Sequence, residues 1–267
     1  MLSVKPKKNL GQHFLKDMEI AQRIAATLDD FAPLPILEVG PGTGVLTRFL
    51  LEKNRNLTVV EIDRESIAYL QNHFPELNGN ILQQDFLKMD FSRYYTSPFC
   101  VIGNYPYNIS SQIFFKILDN KAFIPCCSGM IQKEVAERMA ASPGSKTYGI
   151  LSVLLQTWYD IEYLFTVSEQ AFIPPPKVKS AVVRLTRNKR QKLNCNEKLF
   201  KSVVKTGFNQ RRKMLRNSLK SLLPRESPLP DDPMLNQRPE QISIEQFEKL
   251  TNLLEPLINA FHVEKKN

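Results

Sequence analysis

Apolar residues along this chain gather in short, nearly continuous runs, and between those runs they recur at helical spacing. Ile36–Val39, Leu57–Ile62, Ile81–Gln84, Phe99–Ile102 and Ser128–Ile131 read as strands. A run without polar alternation suits a strand covered on both faces. Helical patterns fill the gaps: about Asp17 to Leu28, a stretch ending near Lys53, then Arg64–Phe74, Ser110–Leu118, Lys133–Ala140 and Tyr148–Trp158. Ile161–Val167 and Ser180–Thr186 read as a terminal strand pair. Strands alternating with helices predict an α/β domain on a mainly parallel sheet.

The pattern changes near Asn188. Beyond it come helices near Glu197–Thr206, Arg211–Leu222 and Ser243–Ile258, with a proline-rich stretch from Pro224 to Pro239 before the last. The expected division is a first domain over 1–188 and a small all-helical domain over 189–267. On the middle helix Leu215, Leu219 and Leu222 share one stripe, and Arg212, Arg216 and Lys220 form an adjacent one. The leucines dock such a helix and leave the cations facing outwards together.

Charge sharpens that contrast. The 267-residue chain carries a net +9, while residues 187–225 hold thirteen Lys or Arg against the single acid Glu197, a local +12. Such a cluster suits a polyanionic partner or a solvated basic face. The four cysteines, Cys100, Cys126, Cys127 and Cys195, lack metal-ligand or redox spacing, and there are three histidines, so neither zinc nor disulfides are expected. No apolar run reaches membrane-spanning length, and the lysine-rich start lacks a signal peptide's apolar stretch. These features predict a soluble cytoplasmic protein, and nothing in the pattern calls for more than a monomer.

Candidate chemistry sits at strand ends, where ligands bind in an open α/β sheet. After Phe99–Ile102 comes Gly103-Asn104-Tyr105-Pro106-Tyr107, and Pro106 fixes its own φ and restricts Tyr105. The exocyclic amine of adenine is a poor nucleophile because its lone pair is delocalised into the ring. Accepting both amine hydrogens, on the Asn104 carboxamide oxygen and a backbone carbonyl of the turn, favours the pyramidal nitrogen that attacks, with Tyr107 stacked on the base. The same residues also suit a strand-ending turn whose tyrosines pack in the core.

Gly40-Pro41-Gly42-Thr43-Gly44 lets the backbone approach a nucleotide-like ligand, and Thr43 is placed to cap the next helix. Its spacing departs from the dinucleotide fingerprint. With Glu38 two residues ahead, it looks more like the S-adenosylmethionine loop of class I methyltransferases. Glu61, twenty-one residues beyond Gly40, is placed to accept from ribose hydroxyls, Asp63 to cap a helix, and Asp85 to accept from an adenine amine with Phe86 against the ring. Phe172-Ile173-Pro174-Pro175-Pro176 reads as a stiff loop, either a spacer or a wall holding Phe172 over a base opposite Tyr107. The arm Lys5-Pro6-Lys7-Lys8-Asn9-Leu10-Gly11 suits phosphate contacts, with Gly11 passing close to a ligand, or a frayed terminus.

Taken together, the motifs resemble those of the bacterial ribosomal-RNA small-subunit adenine dimethyltransferases. They are Asn9-Leu10-Gly11-Gln12-His13-Phe14-Leu15, Glu38-Val39-Gly40-Pro41-Gly42-Thr43-Gly44, Gly103-Asn104-Tyr105-Pro106-Tyr107-Asn108-Ile109-Ser110, Gln132-Lys133-Glu134-Val135, Phe172 to Leu185, and Phe208-Asn209-Gln210-Arg211-Arg212-Lys213 with Leu215 to Leu219. They run in order over nearly the whole chain. The resemblance implies a class I methyltransferase fold, Rossmann-like, with a seven-stranded mainly parallel sheet and a small helical domain. It implies transfer of methyl groups from S-adenosylmethionine to N(6) of two adjacent adenosines in a hairpin loop near the 3′ end of small-subunit ribosomal RNA. The partner would be an assembling small subunit, and no metal is needed.

Carried over by residue, the resemblance puts His13, Leu15, Gly40, Glu61, Asp85 and Asn104 at the methyl donor. Asn104, Tyr107 and Phe172 fall around the target base. Arg211, Arg212, Lys213, Arg216 and Lys220 lie in the RNA-gripping part. Two positions depart from the family pattern: Tyr105 stands where many members have leucine, which predicts tolerance and a changed lip to the pocket. His13 replaces asparagine, which predicts donor affinity that varies with pH. Rival readings are a large-subunit RNA methylase with the same fold, a DNA adenine methyltransferase, and an assembly factor on a methyltransferase scaffold. The triple-proline loop and the Phe-Asn-Gln-Arg-Arg-Lys segment argue against the first.

Overall fold

The computed structural model describes residues 4–7, 10–223 and 228–264. Lys8 and Asn9 of the arm, and Pro224 and Arg225 where the basic segment meets the proline-rich stretch, lie outside the described residues. In chain order the elements are β1 (Phe14–Leu15), α1 (Met18–Ala26), β2 (Ile36–Val39), α2 (Val45–Leu51), β3 (Leu57–Glu61), α3 (Arg64–His73), β4 (Ile81–Gln83), β5 (Cys100–Asn104), α4 (Ser110–Asp119), β6 (Cys126–Gln132), α5 (Lys133–Ala140), α6 (Ile150–Gln156), β7 (Tyr159–Val167), β8 (Phe172–Ile173), β9 (Ser180–Arg187), α7 (Glu197–Asn209), α8 (Leu215–Ser218) and α9 (Ile244–Glu264).

Packing divides the chain into two compact units: Met1–Ala136 with Tyr159–Arg187, and Glu137–Trp158 with Asn188–Asn267. The first unit holds a seven-stranded sheet in the order β4-β3-β2-β5-β6-β9-β7. The β4 to β6 strands run parallel, and β9 lies antiparallel to both β6 and β7. Every residue of β2 is buried, as an apolar strand between two covered faces requires. The chain leaves β2 towards β3 and β4, then returns to β5 on the other side of β2. The strand order therefore reverses between β2 and β5, and a crevice opens beyond their carboxyl ends.

Local chemistry starts the helices. Asp17 accepts from the Ile20 N–H at 3.1 Å to cap α1, and Asp63 accepts from the Glu65 N–H at 3.3 Å to cap α3. Thr43 does not cap α2: Gly44 takes that place with φ +77°, where a Cβ would stand 2.3 Å from the Phe74 ring. Buried hydroxyls between α1 and β6 are paired, as burial demands. Thr27 Oγ1 donates to Ser128 Oγ at 2.6 Å, and Ser128 Oγ donates to the Val183 carbonyl at 3.0 Å.

The stiff loop expected over 172–178 begins as a strand. β8 pairs antiparallel with β1, Phe14 opposite Ile173 and Leu15 opposite Phe172, which fastens the amino-terminal arm.

The second unit takes in 137–158, a segment that the composition break at Asn188 leaves with the first domain. Tyr148 packs edge-on against Phe208 at 6.1 Å, and the Gly144 N–H donates to the Glu240 carbonyl at 2.6 Å. These bonds join it to the later helices. The basic helix expected over 211–222 is also broken. α7 ends at Asn209, Met214 is extended at ψ +149°, and α8 runs only from Leu215 to Ser218 before a tighter 3-10 turn over Leu219–Leu222. Arg212 therefore lies in a turn and shares no helical stripe with Arg216. Of the expected docking stripe Leu215 and Leu219 are buried, while Leu222 is half-buried. Among the described residues no helix is long and apolar enough to cross a membrane.

Candidate functional site

A cavity of about 240 Å³ occupies the crevice at the strand-order reversal. Its walls come from Gly40 after β2, Glu61 and Ile62 at the end of β3, Asp85 and Phe86 after β4, Asn104 to Ile109 after β5, and Leu10 to Phe14 of the arm. Four strand ends and the arm converge on one space.

Asn104 closes β5. Its Nδ2 donates to the His13 carbonyl at 2.9 Å. The amide nitrogen is thereby committed, and the carboxamide oxygen is left as the acceptor this residue offers a ligand. His13 is itself tied down, with Nδ1 at 2.9 Å from the Pro174 carbonyl, an arrangement that requires the proton on Nδ1. The Tyr107 ring stacks on the His13 imidazole, centroids 5.3 Å apart, and its hydroxyl hydrogen-bonds Ser180 Oγ. Burial pushes the Tyr107 phenol pKa up.

Tyr105 does not form a lip. Only 1% of it is exposed, and its ring turns under the strand with its hydroxyl 2.8 Å from the Ser128 carbonyl and 3.1 Å from Cys127 Sγ. Its own N–H donates to the Met130 carbonyl at 3.0 Å. Room for the ring comes from Gly103 and Gly129, where an added Cβ would stand 3.0 and 2.7 Å from it. The turn that carries Asn104 is rooted in β6 by both backbone and side chain.

On the opposite wall Glu61 is buried, and it accepts N–H groups from Gly42 at 3.2 Å, Ile62 at 2.8 Å and Asp63 at 2.9 Å. Desolvation raises its pKa while those three donors oppose the rise. A carboxylate has about four acceptor sites, so capacity remains for a ligand hydroxyl. Gly40 has φ +67°, and a Cβ there would meet nothing within 4 Å, so this backbone borders open space. Asp85 Oδ1 accepts from the Leu87 N–H at 2.9 Å. Beside the cavity a recess of about 30 Å³ is lined by Leu15, Glu38, Gly40 and Asn104. Glu38 is buried against Thr47 Oγ1, which donates to it at 2.7 Å, and desolvation pushes its pKa up to about 8.

His13, Gly40, Glu61, Asp85, Asn104 and Tyr107 therefore share the cavity, and Leu15 reaches the recess. Phe172 does not join them. It is 1% exposed and its ring belongs to the apolar core, because alternation along β8 turns Phe172 inwards and leaves Ile173 55% exposed. In the second unit Arg211, Arg212, Lys213 and Lys220 are exposed and Arg216 is half-buried.

Three residues do something the sequence pattern alone did not assign to them. Asp63 does more than cap α3: it pairs with Lys7 and takes Gln12 Nε2 at 3.5 Å, docking the arm. Gly11, with φ +64°, passes close to Asn108, whose Oδ1 would lie 2.6 Å from a Cβ. Ile62 lines the cavity while 53% exposed. An apolar residue directly after a strand-ending acid was the signal available for the last of these.

A family model described as ribosomal RNA adenine dimethylase matches residues 3–255. A Parabacteroides distasonis protein named ribosomal RNA small subunit methyltransferase A is 66% identical over 266 residues, 100% of this chain and 98% of that protein. A Bacteroides fragilis protein of the same name is 65% identical, covering 97% of this chain and 96% of its own length. Among solved structures, a dimethyladenosine transferase from Plasmodium falciparum matches with a TM-score of 0.71 at 25% identity, over 91% of this chain and 97% of that one. The 23S rRNA methyltransferase ErmE matches with a TM-score of 0.63 at 27% identity, over 90% and 99%.

Proposed function

The chain belongs to the ribosomal RNA adenine dimethylase family, and on that premise we propose how its residues carry out the family's reaction. The fold is that of class I S-adenosylmethionine-dependent methyltransferases. The activity is S-adenosylmethionine-dependent dimethylation of adenine in small-subunit ribosomal RNA. We infer two adjacent adenosines in a hairpin loop near the 3′ end as targets, an assembling small subunit in the cytoplasm as substrate, and a monomeric enzyme. A large-subunit activity such as ErmE's shares the fold, but the relatives at 65 and 66% identity are named for the small subunit.

The donor set suits S-adenosylmethionine. The open space at Gly40 would admit the methionine part, Glu61 has acceptor capacity left for a ribose hydroxyl, and Asp85 with Phe86 would take the adenine. His13 and Leu15, on the arm, would close over it. When bound, S-adenosylmethionine supplies an electrophilic methyl group on a sulfonium.

The chain's own task is to orient and activate an amine. Asn104 Oδ1 accepts one amine hydrogen and the Tyr105 backbone carbonyl accepts the other, which localises the nitrogen lone pair for in-line attack. Tyr107 stacks on the base. A loop adenosine splays out more cheaply than a paired one. The cations of the second unit, Arg211, Arg212, Lys213, Arg216 and Lys220, contact RNA phosphates.

One observation carries this reading: the Asn104 nitrogen is held by the His13 carbonyl, which reserves the oxygen for the substrate. The test is mass spectrometry of small-subunit RNA from a deletion strain complemented with wild type or Asn104→Ala. Dimethyladenosine restored by wild type alone supports the assignment, and full restoration by the variant removes Asn104 from the chemistry.

A further inference from the structure

Between α5 and α6 the chain crosses an exposed loop, Ser142 to Thr147, to which the proposed reaction gives no task. The loop is held from two directions: the Gly144 N–H donates to the Glu240 carbonyl at 2.6 Å, and the Arg211 guanidinium donates to the Lys146 carbonyl. Inside it the Thr147 N–H donates to Ser145 Oγ at 3.0 Å. These bonds bring Lys146 to the turn Gln210 to Met214, itself closed by the Lys213 N–H on the Gln210 carbonyl at 2.8 Å.

The result is an ordered basic surface in the second unit. Lys146, Arg211, Arg212 and Lys213 are all exposed, and among the described residues none has a carboxylate partner. Beside them Met214 is 47% exposed. Leu215 anchors the turn from below, buried, with its N–H on the Gln237 carbonyl at 2.8 Å. Four like charges gathered without a counter-charge repel one another, a cost offset when a polyanion binds. A backbone held in place by hydrogen bonds before binding, with the Arg211 guanidinium tied to it, also loses less freedom on binding.

We propose that the 142–147 loop and the 210–214 turn form a single RNA-backbone surface. Lys146, Arg211, Arg212 and Lys213 make its phosphate contacts, and Arg211 is also the strut that holds the loop against the turn. Met214 lies against a ribose or a base. The proposal rests on the ribosomal-RNA reading above and extends it to a loop outside the basic carboxyl-terminal segment.

The test uses the full-length chain and a naked small-subunit RNA fragment containing the target hairpin, with affinity measured across a salt series. Lys146→Ala should weaken binding several-fold and flatten the slope of log affinity against log salt by about 0.7–0.9, the share of one phosphate contact. Arg211→Ala should speed hydrogen exchange at amides 145–147, an effect absent from Arg212→Ala. Unchanged melting temperatures exclude unfolding as the cause. Wild-type affinity and slope in Lys146→Ala overturn the loop's role while a weakened Arg212→Ala leaves the ribosomal-RNA reading intact. If wild type binds the fragment without salt dependence, that reading fails too. Poly-glutamate binding as tightly as RNA would overturn the proposal in favour of an acidic protein partner.

Discussion

Asn104 and His13 face each other across the cavity wall, side chain to backbone, with the carboxamide nitrogen 2.9 Å from the carbonyl oxygen. The contact fixes the orientation of the amide, with the nitrogen turned to the arm. Asn104→Ala removes both the nitrogen that meets that carbonyl and the oxygen proposed to accept the amine hydrogen. The single-turnover methyl-transfer rate should fall about 10²–10³-fold, the range for losing one hydrogen bond to a developing charge. Donor affinity by calorimetry should stay near wild type, and equal losses in both would reduce Asn104 to a loop brace.

Glu61 gathers three backbone N–H groups around one carboxylate. Glu61→Ala removes the acceptor of the Gly42 N–H and, with it, the proposed acceptor for ribose. Donor affinity should drop about 10–100-fold, the worth of one hydrogen bond to a charged group. Retained affinity would move the ribose contact elsewhere.

Tyr105→Phe keeps the ring between Gly103 and Gly129 and removes only the hydroxyl that meets the Ser128 carbonyl. Stability should fall by about 0.5–1.5 kcal/mol. If the hydroxyl positions the turn, kcat falls while KM for RNA and donor affinity hold. A stability loss with unchanged kcat would mark the residue as core packing alone.

Glu38 sets a pH dependence of stability. Its folded pKa is raised from 4.5 to about 8 by desolvation, with Glu61 adding to the rise. Between those values the unfolded chain has lost this proton and the folded chain has kept it, so stability declines as pH rises through the window and levels off above it. Glu38→Gln removes that contribution. From about pH 5 to 8 its melting temperature should decline less than wild type's, and at pH 8 it should be more stable by roughly 1–3 kcal/mol. Parallel melting curves for the two proteins would show that Glu38 does not titrate there.

Much of the first unit was legible because its strands are covered on both faces. Ile36–Val39 has the bounds its apolar pattern predicted, and the charged helix Lys133–Ala140 has the bounds expected for it. The strand-end rule also located Glu61, Asp85 and Asn104 in one crevice. β1 and β8 were not legible, since two residues carry no period and the partners are far apart in the chain. That omission misplaced Phe172, whose inward direction follows from the pairing. In the basic segment the leucine spacing correctly marked Leu215 and Leu219 as buried. It could not show the break at Met214, because an extended residue between two helical stretches leaves the apolar count unchanged. Tyr105 follows the core-packing alternative rather than the expected changed lip, because Gly129 on a neighbouring strand makes space for its ring.

An adenine amine arrives with two hydrogens on its first visit and one on its second. On the proposed reading the turn provides an acceptor for each, Asn104 Oδ1 among them, so the second transfer would proceed with one of them idle. Monomethyladenosine should build up early in a time course and drain slowly. The arrangement that best primes the unmodified base is, by its own count of lone pairs, a poorer match for the intermediate it makes.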